Sequence, residues 1–270
     1  MAGNIGGRLA AAIVVLTIAI AACGYDKDAH LTDPVYDDSA STAVGRTEAR
    51  IFSAAGDLTQ VLAEFRAAVG DPANATAGEQ ATGRRQINWD AVTGDLVNVD
   101  TLPGDFFNRV LFRGQVFTTN GTGFRVSDNA LADLNLAYAN EFAAFSPTKI
   151  FIAVGSRELT VDFQVAGSTT PALVNGFGVV FSDVDDVRST TLAFFDAQGG
   201  LLRRVHAPVR TDAAGFSFVG VTFDSPIVAR VRIVAGQAAI TGLNADISAG
   251  GHADLVAMDD FISGEPHPIQ

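Results

Sequence analysis

From about residue 84 onward the chain is written in period two, and this alternation limits the folds open to it more than any other feature. Leu159, Val161, Phe163 and Val165 alternate with Thr160, Asp162 and Gln164. Ile227, Ala229, Val231 and Ile233 alternate in the same way with Val228, Arg230 and Arg232. Each segment therefore offers one face to a core and one to water. Further short strand candidates lie at 85–89, 110–112, 115–118, 124–127, 149–154, 177–182, 190–196, 201–207, 216–223 and 255–263. Asn120-Gly121, Gln198-Gly199-Gly200 and Ala249-Gly250-Gly251 supply turn signals between them, the first expected to close a hairpin. Phe216 and Phe218 share one parity while Val221 and Phe223 have the other, so a bulge is expected at Gly220.

A single helix stands apart from this pattern. Leu58, Val61, Leu62, Phe65 and Val69 recur at helical spacing, preceded by a short strand at 50–54. Asp57-Leu58-Thr59-Gln60 reads as a reciprocal N-terminal cap, and Gly70-Asp71-Pro72 as a stop with Gly70 in the left-handed conformation. The helix is expected to lie as a lid over one end or face of a sheet. Many short strands and one amphipathic helix, with no repeat and no internal linker, indicate one all-β domain over 47–266. The expected architecture is an antiparallel sandwich of jelly-roll type, followed by a short tail at 267–270.

Charge and cysteine content narrow the function. Thirty acidic against 18 basic residues give a net charge of −12, which argues against nucleic-acid binding. One cysteine excludes an intrachain disulfide or a cysteine-based zinc cluster, so the core must hold the domain; 19 phenylalanines suit that task. That cysteine sits at a telling position. Arg8 and the apolar run 9–19 read as a secretory signal, followed by Ile20-Ala21-Ala22-Cys23. The tetrad resembles the bacterial lipobox, which implies cleavage of residues 1–22 and acylation of Cys23. The anchored partner is then a lipid bilayer. Gly24 after the cysteine favours the outer over the inner membrane of the cell envelope under the enterobacterial sorting pattern. Residues 23–46, rich in Asp, Ser and Thr, read as a flexible acidic tether with a root-mean-square reach of about 25–30 Å. The domain itself is expected to be a monomer.

Seven segments, taken in order, carry a second resemblance: GRRQINWD (83–90), GQVFTTNGTGFRVSD (114–128), FAAFSP (142–147), GFGVVFSDVD (176–185), TTLAFFDAQGGLL (190–202), FSFVGVTFD (216–224) and AMDDFISGEP (257–266). Together they are similar to an uncharacterised family of exported bacterial proteins, many of which end in a PEP-CTERM-type sorting tail. The resemblance implies an exported domain that accepts different anchors, here Cys23 in place of the tail. It implies no activity.

Candidate site residues fall into three groups. Trp89, the only tryptophan, stands beside Arg84, Arg85 and Asp90 and could form a sugar-binding platform. The structural alternative packs Trp89 at the sandwich edge and pairs Asp90 with Arg84 or Arg85. Asp183, Asp185 and Asp186, with Asp259 and Asp260, could supply hard oxygen ligands to a calcium ion. Adjacent strand residues face opposite sides, so one of Asp259 and Asp260 must lie in apolar company. A hydrogen-bonded structural carboxylate is the simpler expectation there, and no other cofactor is expected. Catalytic motifs are missing: there is no G-x-S-x-G, no H-E-x-x-H, no P-loop and no cysteine nucleophile within the domain. The leading reading is a lipid-anchored, non-enzymatic β-sandwich acting in adhesion, envelope organisation or ligand binding, with a glycan or envelope protein as partner. A carbohydrate-binding module is the first alternative. A hydrolase using two carboxylates in a cleft is the second.

Overall fold

The computed structural model describes residues 48–270. The expected signal segment, Cys23 and the expected tether lie outside them. Fourteen strands follow in chain order: β1 Ala49–Ala55, β2 Arg84–Ile87, β3 Gln115–Thr119, β4 Gly123–Ser127, β5 Ile150–Val154, β6 Glu158–Phe163 and β7 Ala172–Leu173. Then come β8 Gly176–Ser182, β9 Thr191–Phe195, β10 Leu201–His206, β11 Phe216–Phe223, β12 Arg230–Val234, β13 Ala257–Gly264 and β14 His267–Pro268. The helices are α1 Thr59–Val69, α2 Phe106–Arg109 and α3 Tyr138–Glu141.

Two antiparallel sheets hold most of these strands. One runs β1-β11-β8-β13-β5-β4, with β2 also pairing β13, and the other runs β10-β9-β12-β6-β3. The chain crosses between them almost strand by strand. The inner orders β5-β13-β8-β11 and β6-β12-β9-β10 are those of an eight-strand jelly roll, so the expected sandwich is found in its jelly-roll form. The facing sides enclose one apolar cluster that includes Phe117, Phe151, Phe177, Phe194 and Phe261.

The two sheets differ in what covers them. In the five-stranded sheet, β6 and β12 alternate between buried and more exposed positions, with one side turned to water. In the seven-stranded sheet, β8 and β13 are buried at every residue, because this sheet is covered on both faces. Helix α1 covers one part of its outer side: Leu62, Phe65 and Val69 pack with Phe52, Val180, Phe218 and Ile262. Fully burying each such side chain is worth roughly 1.5–3 kcal/mol. Leu131, Tyr138, Phe142 and Ile240 cover another part, over Ile150 and Ile152.

This double burial corrects the expected bulge at Gly220. The β11 register runs unbroken against both β8 and β1. Phe218 faces α1 while Val219, Val221 and Phe223 face the inner core, so the change of parity marks two apolar faces and not a kink. Gly220 has another task. A Cβ there would lie 2.7 Å from Phe65 Cε2, so glycine makes room for the helix.

Other expectations also shift. The segment 110–112 is the exit from α2 and not a strand. Asn120-Gly121 joins β3 and β4, but these belong to different sheets, so the turn is a crossover and not a hairpin. Asp57 Oδ1 accepts from Thr59 N at 2.9 Å, whereas Gln60 Nε2 turns outward to Glu64; the reciprocal cap does not form. Residues 267–268 are no tail, since β14 pairs β7.

Candidate functional site

The first predicted site is interior. Trp89 leaves the end of β2 at φ +62° and is fully buried. Its ring stacks on Phe151 with centroids 3.8 Å apart and meets the edges of Phe107 and Phe261 at 5.1 Å. No face remains for a sugar, which corrects the platform reading. Its neighbours are equally committed, though not in the expected pairing. Arg84 pairs with Asp71, Arg85 is buried against Glu265, and Asp90 accepts from the Thr148 hydroxyl at 2.9 Å.

The five aspartates proposed as calcium ligands separate into two places. Strand β13 gains one residue against β8 between Met258 and Phe261. At the same point its other neighbour changes from β5 to β2. The bulge overturns the expectation that Asp259 and Asp260 face opposite sides: Asp260 reaches Arg66 of α1, and Asp259 reaches the 145–146 loop, whose Phe145 packs in the same α1 cluster. Asp259 Oδ2 accepts from the backbone of Phe145 at 2.6 Å and of Ser146 at 3.2 Å, and its Oδ1 from the Ser146 hydroxyl at 2.9 Å. Asp260 Oδ2 accepts from Gln86 Nε2 at 3.1 Å and lies 3.4 Å from Arg66 Nη2. The Asp259 carbonyl, left without a strand partner, accepts from Trp89 Nε1 at 2.8 Å. Burial, reinforced by the Asp260 charge, pushes Asp259 up to about 8, and burial raises Asp260 as well. Burial and the repulsion between the two carboxylates favour a proton retained on the pair. These aspartates tie α1, the 145–146 loop and β13 together, as the simpler expectation required.

Asp183 and Asp185 lie elsewhere, in the turn that leaves β8. Ligand oxygens of Asp183, Glu141 at the end of α3, and Asp246 all lie within 4.8 Å of one another, and all three residues are buried. Asp246 is oriented by the N–H groups of Ser248 at 2.8 Å and Leu255 at 2.7 Å. Glu141 Oε2 accepts from the Ser248 hydroxyl at 2.6 Å. Asp254 holds the turn itself, accepting from the backbone of Asp185 and Asp186 and from Ser189. Asp183 is different: it is 0% exposed, sits at φ +69°, and neither carboxylate oxygen has a hydrogen-bond partner. Desolvation comes first, with Asp246, Asp185, Glu141 and Asp254 adding repulsion, and it pushes Asp183 up to about 8. Burial, then Asp246, with Asp254 and Glu141 behind it, raises Asp185 to about 6. Asp186 enters through its backbone, its N–H donating to Asp254 and its carbonyl accepting from the Ser189 hydroxyl at 2.8 Å. Glu141, from the β4–β5 connection, and Asp246 and Asp254, from the β12–β13 connection, escape sequence reasoning because both connections are far in sequence from Asp183.

The open face of the sandwich is the outer side of the five-stranded sheet. There a groove of about 450 Å³ is lined by Thr118, Asn120, Thr160, Phe195, Arg230 and Arg232, among others. Arg230 Nε pairs with Asp162 Oδ1 at 2.7 Å, and Arg232 pairs with Glu158.

No family model matches the chain, and no curated protein matches it. Among solved structures, it is similar to the enzymatically active domain of tailspike protein 4 of bacteriophage CBA120, with 13% identity and a TM-score of 0.29. The match covers 62% of this chain and 21% of that one, so it spans about a fifth of the tailspike chain. No helix among the described residues is long and apolar enough to cross a membrane.

Proposed function

We propose that this chain is an exported lipoprotein, held to a bilayer through acylated Cys23, whose β-sandwich binds a hydroxyl-rich ligand such as a glycan without transforming it. The groove across the five-stranded sheet carries the reading. Both faces of the other sheet are covered, whereas this face offers Thr, Asn and Arg donors together with carboxylate acceptors. Such a mixture suits hydroxyl groups, which donate and accept at once. The half-buried Phe195 adds an apolar contact. Glu158 and Asp162 are each tied to an arginine, which favours binding over general acid–base work. The lipobox-like tetrad and the resemblance to exported proteins support the address.

The test uses the full chain in detergent and a glycan array, with Arg232→Ala and Cys23→Ser beside the wild type. The expected outcome is a glycan signal lost in Arg232→Ala at unchanged melting temperature. Cys23→Ser should keep that signal but leave the membrane fraction and take up no fatty-acid probe. An array blank for wild type would refute the ligand. Membrane retention of Cys23→Ser would refute the anchor.

A further inference from the structure

We propose that Asp183, Glu141 and Asp246 form a site for one calcium ion that cross-links three connections of the sandwich. The observation that points to a ligand is Asp183 itself. Its carboxylate is wholly buried, aimed at two other carboxylates, and accepts no hydrogen bond at either oxygen. Buried acceptors are almost always satisfied, so two orphaned oxygens on one side chain mark a missing partner. Asp185 Oδ1 is a third such oxygen.

The geometry suits a cation. Oxygens bound to calcium at 2.3–2.6 Å can be no more than about 4.6–5.2 Å apart across the ion, and the three ligand atoms lie within 4.8 Å of each other. One oxygen each from Asp183, Glu141 and Asp246 supplies three positions. Waters would complete the six to eight that calcium takes. A donor set made only of carboxylate oxygens favours a hard cation over zinc or copper. The other atoms around the site are already committed to holding its shape. Ser248 and Leu255 fix Asp246, and Asp254 fixes the 183–186 turn.

The consequence is mechanical. Residues 235–256 contain no strand, and Asp246 lies near their middle. An ion bound to Asp246, to α3 through Glu141 and to the end of β8 through Asp183 would clamp this long connection to the sheet.

The test is calcium binding by the detergent-solubilised full chain after chelation, read by titration calorimetry and by melting with calcium or with chelator. One ion per chain is expected. At free calcium a hundredfold above Kd, the unfolding equilibrium constant should fall about a hundredfold relative to chelator. Asp183→Asn keeps the side-chain shape and tolerates the positive φ, so it should fold but lose both binding and the calcium response. Should that variant fail to fold, Glu141→Gln is read in the same way. A wild type that takes up no calcium and melts identically in chelator overturns the site, as does calcium binding unchanged in a folded Asp183→Asn or Glu141→Gln.

Discussion

Replacing Glu265 by leucine tests how the interior carries charge. Arg85 is 0% exposed, and its guanidinium presents five N–H groups. Nε and Nη2 donate to Glu265 at 2.7 and 2.5 Å, Nη1 to the carbonyls of Thr76 and Phe112, and Nη2 also to that of Gly78. All five donors are used. Glu265→Leu leaves this cation buried without its counter-charge, and arginine cannot shed its proton to escape. Breaking one side of a buried pair costs about 3–5 kcal/mol. For a domain of this size each kcal/mol lowers the melting temperature by about 2–4 °C, giving a drop of roughly 6–20 °C. Glu265→Gln, which keeps an acceptor but not the charge, should fall in between. Trp89 fluorescence is a clean probe because the chain has one tryptophan and it lies in the core. Salt should not change the differences, since a buried pair is poorly screened. If Glu265→Leu melted within 2 °C of wild type, or its deficit vanished in molar salt, the account of Arg85 would be wrong.

Gly220→Ala should cost about 1–3 kcal/mol by chemical denaturation, because the new methyl would meet Phe65 Cε2 and Cζ at 2.7 and 2.9 Å. Adding Phe65→Leu should lessen that cost, and strict additivity would refute the contact. The Asp259–Asp260 pair predicts a pH effect of definite sign. Its raised folded-state pKa means that the native state keeps a proton which the unfolded chain releases above about 4. The stabilisation is therefore full below about pH 4 and is lost as pH rises through about 8. At fixed free calcium, wild type should lose more melting temperature between pH 5.5 and 8.5 than Asp260→Asn, and parallel profiles would contradict the retained proton.

What was legible in the sequence depended on how many faces of a strand are wet. Segments around β6 and β12 announced themselves by alternation because one side meets water. Strand β11 misled because both sides are apolar, so its change of parity looked like a bulge at Gly220. The real bulge, at Asp259-Asp260, arises where a neighbouring strand gives way to another, and nothing local to the segment encodes that. Charge was harder still. Arg85 looked free for a ligand because its partner is 180 residues away. Asp183 and Asp185 stood out as a local acidic run, but Glu141 and Asp246 join them only through the fold.

The place of β13 sets the timing of assembly. It is thirteenth of the fourteen strands among the described residues, yet it lies inside its sheet, between β8 on one side and β5 and β2 on the other. The Trp89 indole waits for a carbonyl 170 residues downstream. A nascent chain that has reached β12 therefore holds a sheet with a slot in it, flanked by unpaired edges of apolar strands. Such long-range closure is slow, on the order of milliseconds to seconds, and bare edges invite pairing with other chains. The hazard lasts until residues 257–264 are delivered, so the rate of chain delivery, more than the stability of the finished sandwich, governs how much of this protein aggregates before it closes.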